Sequence, residues 1–230
     1  MSIQAVILAA GMGTRLGRPW PKPLTPLVDG RTIMQQQMDN LTAAFGDDVR
    51  VLTVVGFKLE LILEAFPHVA YAYNESYDQT NTNRSLLKAL RIAPDGGVLW
   101  MNGDVVFDPA VLHRARSLMM EDTSFICVNT AAVGEEEVKY TVDSDGFVQH
   151  LSKKVSGALG EAVGINYIAT PDRAALTRGL ADCRDDDYFE RGIELAIERE
   201  GTRIVPLDIT DLFAVEVDFE DDLTRANAHL

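Results

Sequence analysis

The chain opens on a nearly continuous apolar run, residues 3–9, broken only by Gln4. Successive strand side chains point to opposite faces, so an unbroken apolar run predicts a strand covered on both sides. The next apolar positions, Met34, Met38, Leu41 and Phe45, recur at three- and four-residue steps and predict an amphipathic helix over 31–45. The two patterns then keep exchanging. Strands are predicted over 50–55, 69–73, 97–101 and 124–128, and helices over 58–66, 84–92 and 109–120, the last opened by Pro109. Residues 74–83 are polar and without period. In the second half, 138–144 and 147–152 read as a hairpin joined by the two-residue turn Asp145-Gly146. A strand over 162–169, helices over 171–181 and 188–200, strands over 202–207 and 213–217, and a helix over 220–227 complete the chain. Repeated βα units predict an α/β fold: a doubly wound, mostly parallel, Rossmann-like sheet with helices on both faces. The hairpin predicts an antiparallel lobe added in the second half.

Composition narrows the partners. A net charge of −14 argues against bulk binding to nucleic acid or an anionic membrane, while leaving room for a small polyanion at a local cationic cluster. Cys127 and Cys183 lie far apart with no metal-like spacing, which suits a reducing compartment. No basic segment precedes an apolar one at the start, and no run is long enough to span a bilayer. The expectation is a cytoplasmic protein without membrane insertion, a homo-oligomer being left open.

The chemistry concentrates after the first strand, in "LAAGMGTRLG" (8–17) and "PWPKPL" (19–24). A Walker A loop needs Gly-Lys-Ser/Thr where this chain has Gly13-Thr14-Arg15, and a dinucleotide fingerprint needs a small residue where it has Leu16. What remains is a parts list for a triphosphate cradle. Gly11 and Gly13 allow close approach of backbone N–H groups, Arg15 supplies a fork of donors, and Lys22 supplies a point charge restrained by prolines on both sides. Asp104 ends the apolar strand of "GVLWMNGDVVF", at the sheet edge where ligands of open α/β folds sit, and a carboxylate there suits Mg²⁺. Glu216 and Asp218 alternate in "FAVEVDFEDD" and could share one metal or simply be solvated. Asn81, Asn83 and Ser85, in "TNTNRS", could read a base edge or grip a ribose; as turn and N-cap residues they carry equal weight. His68, His113, His150 and His229 share no motif with a nucleophile.

Taken together, "ILAAGMGTRLG…PKPL", "NGD" and "VEVDFEDD" resemble the nucleotidyltransferases that make nucleotide-activated sugars and alcohols. The Thr-Asn-Thr-Asn-x-Ser segment is similar to that of bacterial phosphocholine cytidylyltransferases and their relatives acting on small phosphorylated alcohols and phosphonates. The resemblance implies one domain over 1–230, with 1–130 mainly binding the NTP and 131–230 mainly the acceptor and one metal-binding strand. It implies attack of a phosphate oxygen on the α-phosphorus of an NTP, CTP foremost, with Mg²⁺ as cofactor and phosphocholine or a related phosphonate as acceptor. Leu8, Ala10, Gly11, Met12, Gly13 and Thr14 would bind the nucleotide, Arg15 the leaving pyrophosphate, Lys22 the α-phosphate, and Asp104 with Asp218 the metal, Glu216 being an extra ligand.

In "HLSKKV", register against the family's acceptor lysine selects Lys154, with Lys153 in reserve. Tyr140, Tyr167 and Tyr188 are the rings available to hold a cationic acceptor, Asp187 and Glu190 adding negative charge. Two alternatives stand beside this reading: a sugar-1-phosphate nucleotidyltransferase using UTP or dTTP, and a non-catalytic nucleotide-sensing domain.

Overall fold

A computed structural model of the chain describes residues 3–131, 133–134 and 137–230. In chain order the elements are β1 (Ile3–Ala9), α1 (Ile33–Phe45), β2 (Val49–Val55), α2 (Leu59–Ala65), β3 (Ala70–Tyr73), α3 (Thr82–Ile92), β4 (Val98–Asn102), β5 (Val105–Phe107), α4 (Ala110–Met120) and β6 (Phe125–Asn129). There follow β7 (Lys139–Val142), β8 (Val148–Ser152), β9 (Gly160–Ile168), α5 (Arg173–Asp182), α6 (Phe189–Glu200), β10 (Val205–Asp208), β11 (Ala214–Glu216) and α7 (Glu220–His229).

The main sheet runs β10-β6-β9-β4-β1-β2-β3. β1 pairs in parallel with β2 and β4, β2 with β3, and β10 with β6. The apolar run of β1 is covered twice, as its pattern requires. Val6 and Leu8 face a core with Leu86 and Leu90 of α3, Leu176 and Leu180 of α5 and Phe189 and Ile193 of α6. Ala5, Ile7 and Ala9 face the other core, with Met34 and Leu41 of α1, Ile62 of α2 and Val111 and Leu112 of α4. Each fully buried Val, Leu, Ile, Met or Phe side chain among these contributes about 1.5–3 kcal/mol, and the two-sided burial makes the sheet doubly wound. A third cluster, including Leu16, Leu27, Val215, Val217 and Leu223, seats β11 and α7 under the loop that follows β1.

Three features differ from the sequence-based expectation. The antiparallel character is not confined to the hairpin, because β9 itself lies antiparallel between β4 and β6 in the middle of the sheet. The hairpin turn is longer than Asp145-Gly146: Asp143 N–H donates to Phe147 O at 2.8 Å, and Asp143 Oδ1 accepts from the amides of Asp145 (2.9 Å) and Phe147 (3.0 Å). That Asx-type bonding closes the strands around three residues, with Gly146 at φ +88°. Finally, β5 is a separate three-residue strand that turns back after Asp104 and pairs antiparallel with β11.

Candidate active site

The C-terminal ends of β1 and β4 open into a cleft of about 390 Å³. Its floor is the loop after β1, from which Gly11, Met12, Gly13, Thr14 and Arg15 all line the cleft. Gly13 has φ +60°, and a Cβ there would lie 2.7 Å from Lys22 Cγ. Only glycine allows the loop to lie against the lysine stem at that distance. Lys22 begins a single 3-10 turn between Pro21 and Pro23, and its side chain is 12% exposed.

Lys22 Nζ donates to Asp104 Oδ2 at 3.0 Å and also to Asp218 Oδ1, while Arg15 Nη1 donates to Asp218 Oδ2 at 2.9 Å. Burial works against the Lys22 ammonium, but Asp104 and Asp218 outweigh it and hold its pKa above the ordinary lysine value. Burial likewise opposes charge on Asp218; Lys22 and Arg15 reverse the balance and keep that carboxyl below the usual range. Asp104 is positioned by the backbone around it. Gly103 N–H donates to Leu8 O (2.9 Å), Val217 N–H donates to Asp104 O (2.9 Å), and the Gln37 amide of α1 donates to Asn102 O and Val105 O, both at 2.8 Å.

Glu216 lies deeper in the same cleft and accepts from Asn102 Nδ2 at 3.0 Å. Burial first, then the charges of Asp104 and Glu137, raise its carboxyl well above the carboxylate range. Space for it is made by Gly164 of β9, whose Cβ would lie 2.5 Å from Glu216 Oε1 and whose φ is +66°.

One nitrogen, Lys22 Nζ, receives both Asp104 and Asp218, so an oxygen of each carboxylate reaches a single point. Among the described residues no group of three or more His, Cys, Asp or Glu side chains converges as a metal cage. Two carboxylates beside the glycine-bearing loop nevertheless fit Mg²⁺, which takes one or two protein carboxylates and completes its shell with phosphate oxygens and water.

Not every predicted residue reaches the cleft. Leu8, Asn81, Lys153, Tyr188 and Glu190 line it. Ala10 and Ser85 line an adjoining recess of about 60 Å³, where Ser85 Oγ accepts from Asn74 Nδ2 at 3.1 Å. Asn83 is fully buried; its amide donates to Arg184 O (2.6 Å) and accepts from Arg84 N–H (2.7 Å), so it ties α3 to the α5–α6 loop and not to a base. Tyr140 is 4% exposed and packed in the core under the hairpin. Tyr167 pairs across from Leu99, toward the far end of β4; its ring stacks on Phe125 and its hydroxyl donates to Asp122 at 2.9 Å. Asp187 caps its own loop, accepting from Arg184 N–H at 2.8 Å. Lys154 is exposed on the surface, and the neighbouring Lys153 takes the cleft position, with Nζ 5.3 Å from the centre of the Tyr188 ring.

Sequence reasoning missed Glu137, Thr80, Thr82, Tyr77 and Asn102, which also line the cleft. Glu137 sits in the run Glu135-Glu136-Glu137, which on its own looks like any solvated acidic stretch. The signal for Gln37 was available: Gln36, Gln37 and Asn40 are buried amides within an otherwise apolar helix face. All three donate to carbonyls of the β4–β5 segment.

A family model for the MobA-like NTP transferase domain matches residues 5–183. The chain belongs to that family. It also resembles the CMP-5'-(3-aminopropyl)phosphonate synthase of Streptomyces rubellomurinus, with 40% identity over 121 residues, 49% of this chain and 19% of that protein. A bifunctional protein GlmU of Nitratidesulfovibrio vulgaris is 38% identical over 103 residues, 44% of this chain and 22% of that protein. The matched segment is thus about a fifth of the length of these curated relatives. In fold, the inositol-1-phosphate CTP transferase of T. maritima superposes with a TM-score of 0.76 at 16% identity, covering 96% of this chain and 91% of that one. The CTP:phosphocholine cytidylyltransferase LicC of Streptococcus pneumoniae superposes with a TM-score of 0.74 at 16% identity, covering 100% and 99%. At such identities the likeness speaks for the fold alone. Among the described residues, no helix is long and apolar enough to cross a membrane.

Proposed function

We propose that this member of the MobA-like NTP transferase family transfers the cytidylyl unit of CTP to a small phosphorylated or phosphonylated amino-alcohol and releases pyrophosphate. The observation that carries the reading is the convergence of Arg15, Lys22, Asp104 and Asp218 at the strand mouth. An acceptor oxygen forms a bond to the α-phosphorus as the bond to the β-phosphate oxygen breaks. The acceptor is already an anion, so no proton has to be removed, and catalysis consists of positioning and charge stabilisation.

In this reading Gly11, Gly13 and Thr14 present the loop to the phosphates, and Arg15 holds the leaving pyrophosphate. Lys22 leaves its carboxylate partners for the α-phosphate oxygens, where negative charge matters most in the transition state. Asp104 and Asp218 would hold Mg²⁺, which when bound neutralises phosphate charge and fixes phosphate geometry. Lys153, from the acceptor side of the cleft, binds the acceptor phosphate or phosphonate. The CTP preference draws support from the aminopropylphosphonate relative.

The test is a matrix of four NTPs against phosphocholine, aminoethylphosphonate and hexose-1-phosphates, read by pyrophosphate release with Mg²⁺ present. The expected result is release with CTP and an amino-alcohol acceptor. Preference for a hexose-1-phosphate with UTP or dTTP would replace this reading with a sugar one, and no release from any pair would remove the transferase assignment.

A further inference from the structure

Within the cleft, Arg15 and Lys22 are met by Asp104 and Asp218, whereas Glu137 and Glu190 gather around Lys153. Glu190 lies in the first turn of α6 and is 8% exposed. Its Oε2 is buried and has no hydrogen-bond partner among the described residues. A buried carboxylate oxygen without a donor is costly, and such atoms are rare unless something else supplies the donor. The Tyr188 ring, 41% exposed at the N-cap of the same helix, forms the adjoining wall. Lys153 already places a primary ammonium over that ring, and its charge acts on both Glu190 and Glu137.

Building on the proposed transferase reaction, we infer that Glu190, Glu137 and Tyr188 form an ammonium subsite, and that the acceptor is a small phosphonate or phosphate ending in a primary ammonium group. The argument separates three kinds of acceptor. A quaternary ammonium has no N–H to give Glu190 Oε2 and needs several aromatic faces. Two of the rings that might have built such a cage are elsewhere, Tyr140 in the core and Tyr167 bonded to Asp122. A neutral sugar leaves the excess acidic charge uncompensated. A primary ammonium supplies both the donor and the charge, and by taking the Lys153 position on Tyr188 it frees that lysine for the acceptor's anionic end. Burial pushes the Glu190 carboxyl up to about 7, a penalty on its ionised form that an ammonium beside it offsets.

The experiment measures kcat/KM with CTP for aminoethylphosphonate, its N,N,N-trimethyl analogue and hydroxyethylphosphonate, in the parent and in Glu190→Gln. The primary amine should exceed both analogues by about ten-fold or more, the scale of one charge-assisted hydrogen bond. In Glu190→Gln the ratio of amine to hydroxyl acceptor should shrink to about three-fold or less. A trimethyl analogue that equals or beats the amine, or a ratio unmoved by Glu190→Gln, overturns the subsite while leaving the transferase reading intact. Should no pair turn over, the transferase reading fails by itself. Calorimetric titration of aminoethylphosphonate against hydroxyethylphosphonate then judges the subsite, tighter amine binding supporting it and equal affinities overturning it.

Discussion

Lys22 Nζ and Asp104 Oδ2 stand 3.0 Å apart across 82 positions of sequence. The contact joins the loop after β1 to the turn after β4, with Asp218 on the same ammonium. Removing the amine therefore affects two things: it leaves two carboxylates facing each other, and it takes a positive charge from the proposed α-phosphate position. Lys22→Ala should lower kcat by about 100-fold or more, the range for losing one preorganised charge-stabilising donor. The KM for the NTP should change far less. Steady-state kinetics with kcat and KM resolved separately check this, and an effect confined to KM would assign Lys22 to uniform binding.

Gln37 does not itself line the cleft, yet its amide holds the carbonyls of Asn102 and Val105 on either side of the turn that carries Asp104. It is a positioning residue for that carboxylate. Gln37→Leu should raise the Mg²⁺ concentration needed for half-maximal activity by about ten-fold, as loss of a supporting hydrogen bond does at metal sites. A Mg²⁺ titration of turnover reads the effect. Activity that falls equally at all Mg²⁺ concentrations would mean that the substitution only loosens the fold.

The adjacent lysines separate cleanly. Lys153 lines the cleft and Lys154 is exposed outside it. Lys153→Ala should weaken acceptor use by about ten-fold or more in kcat/KM, one charged hydrogen bond being worth about 1.5–3 kcal/mol. Lys154→Ala should stay within about two-fold of the parent, as for surface substitutions away from a site. Initial rates at varied acceptor concentration distinguish the two variants, and the reverse pattern would restore the assignment made from sequence register.

Glu190 imposes a pH-dependent penalty on folding. Its carboxyl is raised from 4.5 to about 7 by burial. Between those values the folded chain keeps a proton that the unfolded chain has lost, so stability falls as pH rises through this window and the penalty is complete above it. A shift of this size corresponds to about 3 kcal/mol. Glu190→Gln, which mimics the protonated acid, should therefore raise Tm by several degrees near pH 8 and by almost nothing near pH 4.5. Scanning calorimetry at the two pH values tests it. Glu190 is also one of the charges that raise the buried Glu216 carboxyl, so its removal eases that penalty in the same direction.

Much of the fold was legible from residue order alone. The two-sided burial of β1 follows from its unbroken apolar run, and the one-sided burial of α1 from the spacing of Met34, Met38 and Leu41. Such patterns are local, and the physics behind them acts within a turn or a strand. The residue types around the loop were equally legible: two glycines, Arg15 and a proline-bracketed Lys22 follow one another in the sequence, and the structure brings all four to one cleft.

Tertiary structure decided everything that depends on register and direction. Lys153 and Lys154 follow β8 in a turn, outside the strand's alternation, so which of them faces the cleft is set by how that turn is folded onto the α6 N-terminus. Tyr167 was sent away from the cleft by the antiparallel insertion of β9, which sets it opposite Leu99 instead of near Asn102. The left-handed backbone of Gly164 in that same strand clears the space for Glu216, 52 residues later in the chain. Residue order specified which chemical groups this protein possesses. Their meeting required long-range strand pairing, because a sheet places residues by which strands lie side by side and in which direction, and neither is encoded within a single segment.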